Sequence, residues 1–355
     1  MLFEPHQEYF GLDISDRSLK AVQLKRTLRG KLEVTALSRL NLPEGLFNNG
    51  QIIKPTEVIE ALKKLIIQPE YGKFTTLCVA VSLPETKTFI KMIDIPPMET
   101  SEMPTAVKWE AEHHIPIPID ETYWDFQVID QPAAPNSRLP ILLCVAPQND
   151  VNNYTEVLTK AELIPVSLEI EAAAITRSLL PPQPTEIANI IIDIGANRTG
   201  LIVCDRGIVL FTVSLPLSGQ TITNTIADTL KITTDQAEKA KIVCGLDPST
   251  CHGAIGEILH TVMTELISRI HDSLNYYQEH FSNHQPINEI ILCGGGANFK
   301  MIDTYLSKAL NLPVRRGNPW LNINNHPQTI PDEESIGLTS AIGLALRTFF
   351  IPPEL

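Results

Sequence analysis

NIIIDIGANRTGLIVCDRGIVLF, residues Asn189 to Phe211, reads as a buried strand, a tight turn and a second strand. Ile190, Ile191 and Ile192 make the apolar run that a fully covered strand requires. Asp193 falls where that strand ends, and Gly195 follows, a residue whose missing Cβ lets a backbone N–H approach a ligand oxygen. A carboxylate beside an exposed turn amide suits a phosphate and its metal. An ordinary hairpin carries the same Asp-x-Gly turn, so this stretch by itself leaves both readings open.

A second copy of the pattern shifts the balance. Tyr9 to Leu24, YFGLDISDRSLKAVQL, has an apolar strand, Asp13, a short polar turn and a return strand. Two such hairpins far apart in sequence suggest two similar half-domains facing one another across a nucleotide. Glu289 to Leu310, EIILCGGGANFKMIDTYLSKAL, adds a strand, Gly294, Gly295 and Gly296, and then a helix expected to start at Ala297 and Asn298. The glycines let the chain pass flat against a ring or phosphate, and the helix N-terminus offers N–H groups.

In order and spacing these three stretches resemble the actin-like ATPase superfamily: its two phosphate motifs, then its adenosine motif. Within it the chain is similar to the PilM family of type IV pilus assembly, with FtsA next. The resemblance implies an α/β chain with the actin-like ATPase fold, two RNase H-like half-domains carrying an inserted α+β subdomain of the 1C type. It also implies ATP and Mg²⁺ as cofactors, a PilN-like inner-membrane protein recruited through its N-terminal cytoplasmic tail, and a cytoplasmic protein peripheral to the inner membrane.

The chain has 355 residues, enough for two domains, and a formal net charge of −13, which argues against a general nucleic-acid binder. Cys78, Cys144, Cys204, Cys244, Cys251 and Cys293 are scattered, with no Cys-x-x-Cys pair, and read as small buried hydrophobes in a reducing cytoplasm. Met1 to Glu8 lacks a signal-peptide core, and the apolar segment Ile336 to Phe350 is too short to span a bilayer and contains Arg347.

The expected order has half-domain I over residues 1–84, with a strand at Lys31 to Leu40, a helix at Pro55 to Ile66 and a strand at Thr75 to Leu83. The insertion takes residues 85–164: a strand at Thr86 to Ile95, a helix at Ser101 to His114, strands at Tyr123 to Ile129 and Leu139 to Ala146 about the loop Asp130 to Arg138, and a closing helix at Asn149 to Ala161. Residues 165–184 return to half-domain I and end in the stiff linker Pro181 to Pro184. Residues 185–335 form half-domain II, including a long helix from Gly253 to Phe281, and 336–355 cross back to half-domain I through a last helix, Ile336 to Phe349. Neighbouring His113 and His114 point about 100° apart on a helix and suit a solvated helix end better than one metal ion.

By resemblance Asp13 and Asp193 are catalytic carboxylates and Mg²⁺ ligands, directly or through water, and Glu169 or Glu171 orients the attacking water. Both glutamates alternate onto one strand face, an arrangement equally compatible with solvated side chains. Ser15, Ser18, Lys20, Gly195, Thr199 and Gly219 are expected around the phosphates, with Glu238, Lys241, Gly294, Gly295, Gly296 and Asn298 around the adenosine. Spacing alone reads Glu238 and Lys241 as a surface pair at i and i+3. The first loop departs from the pattern: Ser15 replaces a glycine, and Asp16 puts a like charge beside the phosphates, with Arg17 to offset it. ATPase turnover is therefore expected to be slow at most. An FtsA-like polymerising protein, with self-association, is the alternative, and a small-molecule kinase the third reading. The resemblance implies that the partner's tail docks between the first half-domain and the insertion, and the stiff apolar segments Ile95-Pro96-Pro97 and Ile115-Pro116-Ile117-Pro118 are consistent with it.

Overall fold

The structure, a computed structural model, describes residues 8–129, 138–183, 186–215, 217–281 and 285–350. Two compact units share the chain: one takes residues up to Arg29, Glu33–Ala174 and those from Ser340 on, the other Gly30–Leu32 and Ile175–Thr339.

The first unit opens with β1 (Phe10–Ser15), β2 (Ser18–Arg26) and β3 (Leu32–Asn41). The short β4 (Phe47–Asn48) and β5 (Gln51–Ile52) pair with each other, and α1 (Pro55–Ile67), β6 (Tyr71–Gly72) and β7 (Cys78–Leu83) follow. Pro55 begins α1, where a missing N–H removes no helical bond. β7 is shorter than the expected Thr75 to Leu83, because the Gln23 side chain accepts the Thr75 N–H at 2.9 Å and draws it out of the ladder.

The insertion contributes β8 (Phe89–Ile95), α2 (Met103–Ala111), β9 (Thr122–Val128) and β10 (Leu139–Pro147), with the strands ordered β8-β10-β9. Its core is its own: Ile93, Ile95, Val107, Ala111, Ile141 and Leu143 bury one sheet face under α2. The helix ends at Ala111, and His113 and His114 lie in the tightened turn beyond it. There His113 Nδ1 sits 3.0 Å from the Trp109 carbonyl, and His114 Nε2 3.2 Å from Glu110. Residues 130–137 of the expected loop lie outside the described residues.

α3 (Gln148–Lys160) corrects the reading that it closes the insertion. Its Tyr154, Val157 and Leu158 join Val58, Leu62 and Leu65 of α1 in the main core of the first unit. β11 (Ile164–Ile170) then adds a parallel strand beside β7, and α4 (Glu171–Leu179) follows at once. Of the linker expected at Pro181 to Pro184, Pro184 lies outside the described residues.

The second unit holds β12 (Ala188–Ile194), β13 (Thr199–Asp205), β14 (Ile208–Leu215), α5 (Gly219–Leu230), α6 (Thr234–Cys244) and α7 (Ala254–His280). β15 (Ile287–Cys293), α8 (Ile302–Leu310), β16 (Val314–Arg316) and α9 (Asp332–Ser335) complete it. The buried stripe of α7 is Ile255, Leu259, Met263, Leu266, Ile270, Ser273 and Tyr277, the three-and-four spacing of a core helix.

The two sheets repeat one topology. β3-β2-β1-β7-β11 and β14-β13-β12-β15-β16 each place the first hairpin strand at the centre, with its return strand on one side and two parallel strands on the other.

α10 (Thr339–Leu346) returns to the first unit. It replaces the single helix expected from Ile336 to Phe349: buried Thr339 turns its hydroxyl onto the Ile336 carbonyl at 2.7 Å, one of the local bonds that compete with a regular helix. α10 lies so close to β1 that a Cβ on Gly11 would strike the Ala341 carbonyl.

Candidate functional site

Each central strand carries one aspartate. Asp13, 3% exposed, faces Lys20 across the β1–β2 ladder, and its carboxylate accepts from the Lys20 ammonium at 3.0 Å. Ser82, on the parallel neighbour β7, reaches the other oxygen at 3.5 Å. Asp193 on β12 has the equivalent neighbour on β15, where the Cys293 thiol lies 3.7 Å from its carboxylate. Sequence reasoning missed Ser82 and Cys293, although Ser82 is the sole hydroxyl in the buried run of β7 and could have drawn attention to itself.

The polar groups of the first hairpin are engaged within the protein. Lys20 is engaged with Asp13 rather than standing apart for a phosphate. Ser15 donates to the Ser18 carbonyl at 3.0 Å, with the two hydroxyls 3.0 Å apart, so the serine in the glycine position tightens its own turn. Asp16 accepts the Gly50 N–H at 2.9 Å and Arg17 pairs with Glu44, so both charges are committed to the neighbouring loop.

Glu169 and Glu171 do not share a strand face, because β11 ends at Ile170 and Glu171 is the first residue of α4. Glu169 is 12% exposed at its side chain and pairs with Arg347 at 3.3 Å. Glu171 belongs to a different set. Burial raises the Tyr154 phenol far above its usual range, and the carboxylates of Asp16, Glu171, Asp150 and Asp13 push it further, so Glu171 lies on the side of the molecule that holds Asp13.

In the second unit, the Gly195 N–H donates to the Arg198 carbonyl at 2.9 Å and closes the hairpin, so this amide is not offered to a ligand. The carbonyls of Gly195 and Ala196 accept the Gly219 and Gln220 N–H groups at 3.0 and 2.9 Å, which seats the start of α5 on the turn. Ser218 caps α5 through a reciprocal bond with Thr221.

Glu238 and Lys241 are more than a surface pair. The Lys241 ammonium binds Glu238 at 2.6 Å, Thr223 at 2.8 Å and the Gly219 carbonyl at 3.1 Å, which ties α6 to the first turn of α5.

The glycine turn has a different cause at each position. Gly294 has φ +74 and presses on Asp193, where a Cβ would meet the carboxylate; a Cβ on Gly296 would meet Ile194. Gly295 faces open space and is the glycine free to approach a ligand. Residues Gly295–Asn298 form a short 3₁₀ turn, and α8 starts only at Ile302, after left-handed Met301. The helix expected at Ala297 and Asn298 is thus displaced by one turn. Asn298 donates to the Glu333 carbonyl, and its own Oδ1 is buried without a partner.

Fit to a nucleotide can be judged from these atoms. Gly294 packs against Asp193, Gly195 stands two residues further along the same turn, and Gly219 and Lys241 follow from Gly195 by hydrogen bonds, an edge for phosphates and a nucleoside. The Thr199 hydroxyl is buried without a partner, as a missing oxygen ligand would leave it, yet it is 0% exposed, so a phosphate reaches it only if the turn opens. Among the described residues no group of three or more His, Cys, Asp or Glu could hold a metal ion. Mg²⁺ commonly binds through one or two carboxylates plus substrate phosphates and water, the mode that single aspartates permit.

The repeated sheet topology with an aspartate on each central strand defines the actin-like ATPase fold. The chain belongs to the family of the type IV pilus assembly protein PilM, which it matches over residues 11–349. It is similar to a solved PilM-PilN type IV pilus biogenesis complex, with 26% identity and a TM-score of 0.82 over 98% of this chain and 100% of that one. MreB5 of Spiroplasma citri bound to ADP shares the fold at 14% identity and a TM-score of 0.54, over 95% of each chain. Cell division protein FtsA of Buchnera aphidicola subsp. Baizongia pistaciae (strain Bp) is 25% identical over 196 residues, 48% of this chain and 47% of that protein. The chain spans about half the length of the curated relatives it matches. Among the described residues, no helix is long and apolar enough to cross a membrane.

Proposed function

We propose that the chain is an ATP-binding scaffold of type IV pilus assembly that recruits a PilN-like inner-membrane protein through that protein's cytoplasmic tail. The likeness to the PilM-PilN complex, at a TM-score of 0.82 along 98% of the chain, carries this reading. In it the protein is cytoplasmic and peripheral to the inner membrane. In the second unit the Asp193 turn offers ATP phosphate contacts, and the glycine turn and the Glu238–Lys241 pair offer nucleoside contacts; in the first unit the Asp13 hairpin offers phosphate contacts of its own. Mg²⁺ would supply charge neutralisation of the phosphates, and each unit offers one carboxylate suited to it, Asp13 in the first and Asp193 in the second. Lys20 exchanges its bond to Asp13 for one to a phosphate, while Thr223 and Gly219 hold Lys241 in place.

The insertion is the docking element in this reading. It has its own core, and it exposes Trp109 on α2 and Tyr123 on β9, amphipathic rings of the kind that anchor peptides. Because α3 packs in the main core, the excision that tests it covers residues 89–147 only, leaving Tyr154, Val157 and Leu158 in place. The excised chain, joined by a short linker, should keep ATP binding and lose capture of the PilN-like cytoplasmic tail. Full-strength capture by the folded, excised chain would place docking elsewhere.

A further inference from the structure

Cys244 and Cys251 are not the isolated thiols expected from the sequence. They form a disulfide with Cα atoms 5.8 Å apart. Cys244 is the last residue of α6 and is buried, whereas Cys251 is exposed on the connection to α7.

That connection touches both sides of the nucleoside edge. The Gly245 N–H closes the final turn of α6 on the Lys241 carbonyl at 3.0 Å, which puts the disulfide one helical turn from the Lys241 side chain. The Leu246 N–H donates to the Lys300 carbonyl at 2.9 Å, and the Lys300 ammonium pairs with Asp247 at 2.8 Å. Gly245 packs so tightly that a Cβ would lie 2.7 Å from the Lys300 carbonyl oxygen. Lys300 lies two residues past Asn298, the end of the glycine turn. The disulfide therefore closes a loop stitched to α6 at one end and, through Gly245, Leu246 and Asp247, to Lys300 just past the glycine turn.

The loop is also strained. Cys251, His252 and Gly253 have φ of +47, +53 and +75, three successive left-handed residues, two of which carry a Cβ. Such a conformation persists only where its surroundings enforce it, and a covalent link from Cys251 to the end of α6 is such a constraint.

We propose that the Cys244–Cys251 disulfide is a reversible redox switch of nucleotide affinity, tight when oxidised and weak when reduced. The proposal rests on the ATP-binding reading above. In a reducing compartment a disulfide is usually transient and regulatory rather than structural. A dithiol reductant attacks the exposed Cys251 sulfur, forming a mixed disulfide and releasing Cys244 as a thiolate that takes up a proton. The second thiol of the reductant then displaces Cys251, which is protonated in turn, and the reductant leaves as its own disulfide, so two electrons and two protons pass to the protein. Freed of the link, the left-handed turn relaxes, the Asp247–Lys300 stitch loosens, and the nucleoside edge is no longer preorganised. Glutathione disulfide reverses the reaction.

The test uses the full chain equilibrated with excess glutathione disulfide or with dithiothreitol, its thiols counted by alkylation and mass spectrometry. ATP is titrated calorimetrically, and hydrogen exchange is followed over residues 241–253 and 298–302. The expected result is at least threefold tighter ATP binding by the oxidised form, faster exchange in both segments on reduction, and Cys251→Ser fixed at the reduced behaviour in both buffers. Cys251 is exposed, so this variant folds without a packing defect, and the reduced wild type gives the same comparison with no substitution. Equal ATP affinity in the two forms overturns the switch and leaves the ATP reading standing. A pair that stays reduced in excess glutathione disulfide also overturns it. Absence of ATP binding in either form removes both.

Discussion

Replacing Lys20 with methionine separates the two roles that sequence and structure assign to this lysine. Its ammonium lies 3.0 Å from the carboxylate of Asp13, and the side chains are 21% and 4% exposed. At that separation an effective dielectric of about 20 gives roughly 5 kcal/mol of gross attraction. Desolvation offsets part of this, and removing one partner of a buried pair costs about 3–5 kcal/mol because the other charge is left uncompensated. Lys20 keeps some solvent contact, so the lower end is expected: Lys20→Met should lose about 3 kcal/mol in urea denaturation. Adding Asp13→Asn removes the stranded charge, and the double variant should recover about 2 kcal/mol of that loss, a coupling in the range of contacting residues. ATP affinity should not recover with it, because the double variant still lacks the phosphate's cation. A single-variant loss below about 1 kcal/mol, the value of an exposed pair, would refute the buried-pair argument.

Gly294→Ala should destabilise by about 2 kcal/mol or more, since a left-handed residue with a Cβ costs about 1–2 kcal/mol before its collision with Asp193 is counted. Gly295→Ala, whose Cβ meets nothing within 4 Å, should stay within about 0.5 kcal/mol by the same denaturation assay. Tyr277→Phe removes a hydroxyl lying 3.0 Å from the Asp205 carboxylate and 2.9 Å from the Gln285 carbonyl, a loss of about 1.5–3 kcal/mol in thermal or urea unfolding. Lys300 and the Ser249 hydroxyl hold the Asp247 carboxyl down at about 2, so its contribution is present above the ordinary value near about 3.9 and is lost as pH falls through about 2. An NMR titration of that carboxyl should show the low midpoint, and Lys300→Met should move it upward; an unchanged midpoint would contradict the assignment.

The fold was legible because its signals are periodic and repeated. Ile190 to Ile192 before Asp193, and Phe10 to Leu12 before Asp13, each form the centre of a sheet with the same strand order. What escaped depends on contacts distant in sequence. Nothing in the stretch 148–160 says which of two cores its apolar face joins, and it joins the main one because Val58, Leu62 and Leu65 of α1 are there to meet it. The residue types of the site were visible, but their engagements were not. Lys20 finding Asp13, Arg347 finding Glu169 and Lys241 finding Gly219 are decided by side-chain direction, and the Gly195 amide is taken by a hairpin bond that composition cannot show. The Cys244–Cys251 pair was missed because its members stand seven positions apart in sequence and a left-handed turn accompanies their approach.

ATP binding and its dependence on Asp193 are the centre of the account. Calorimetric titration of the purified chain with ATP, with and without Mg²⁺, and of the Asp193→Ala variant, tests them most directly. The account predicts that wild type binds more tightly with Mg²⁺ and that the variant loses at least about 1.5 kcal/mol of Mg²⁺-dependent affinity, the low end for an interaction with a charged group. Equal affinity of wild type and variant for Mg-ATP would contradict it.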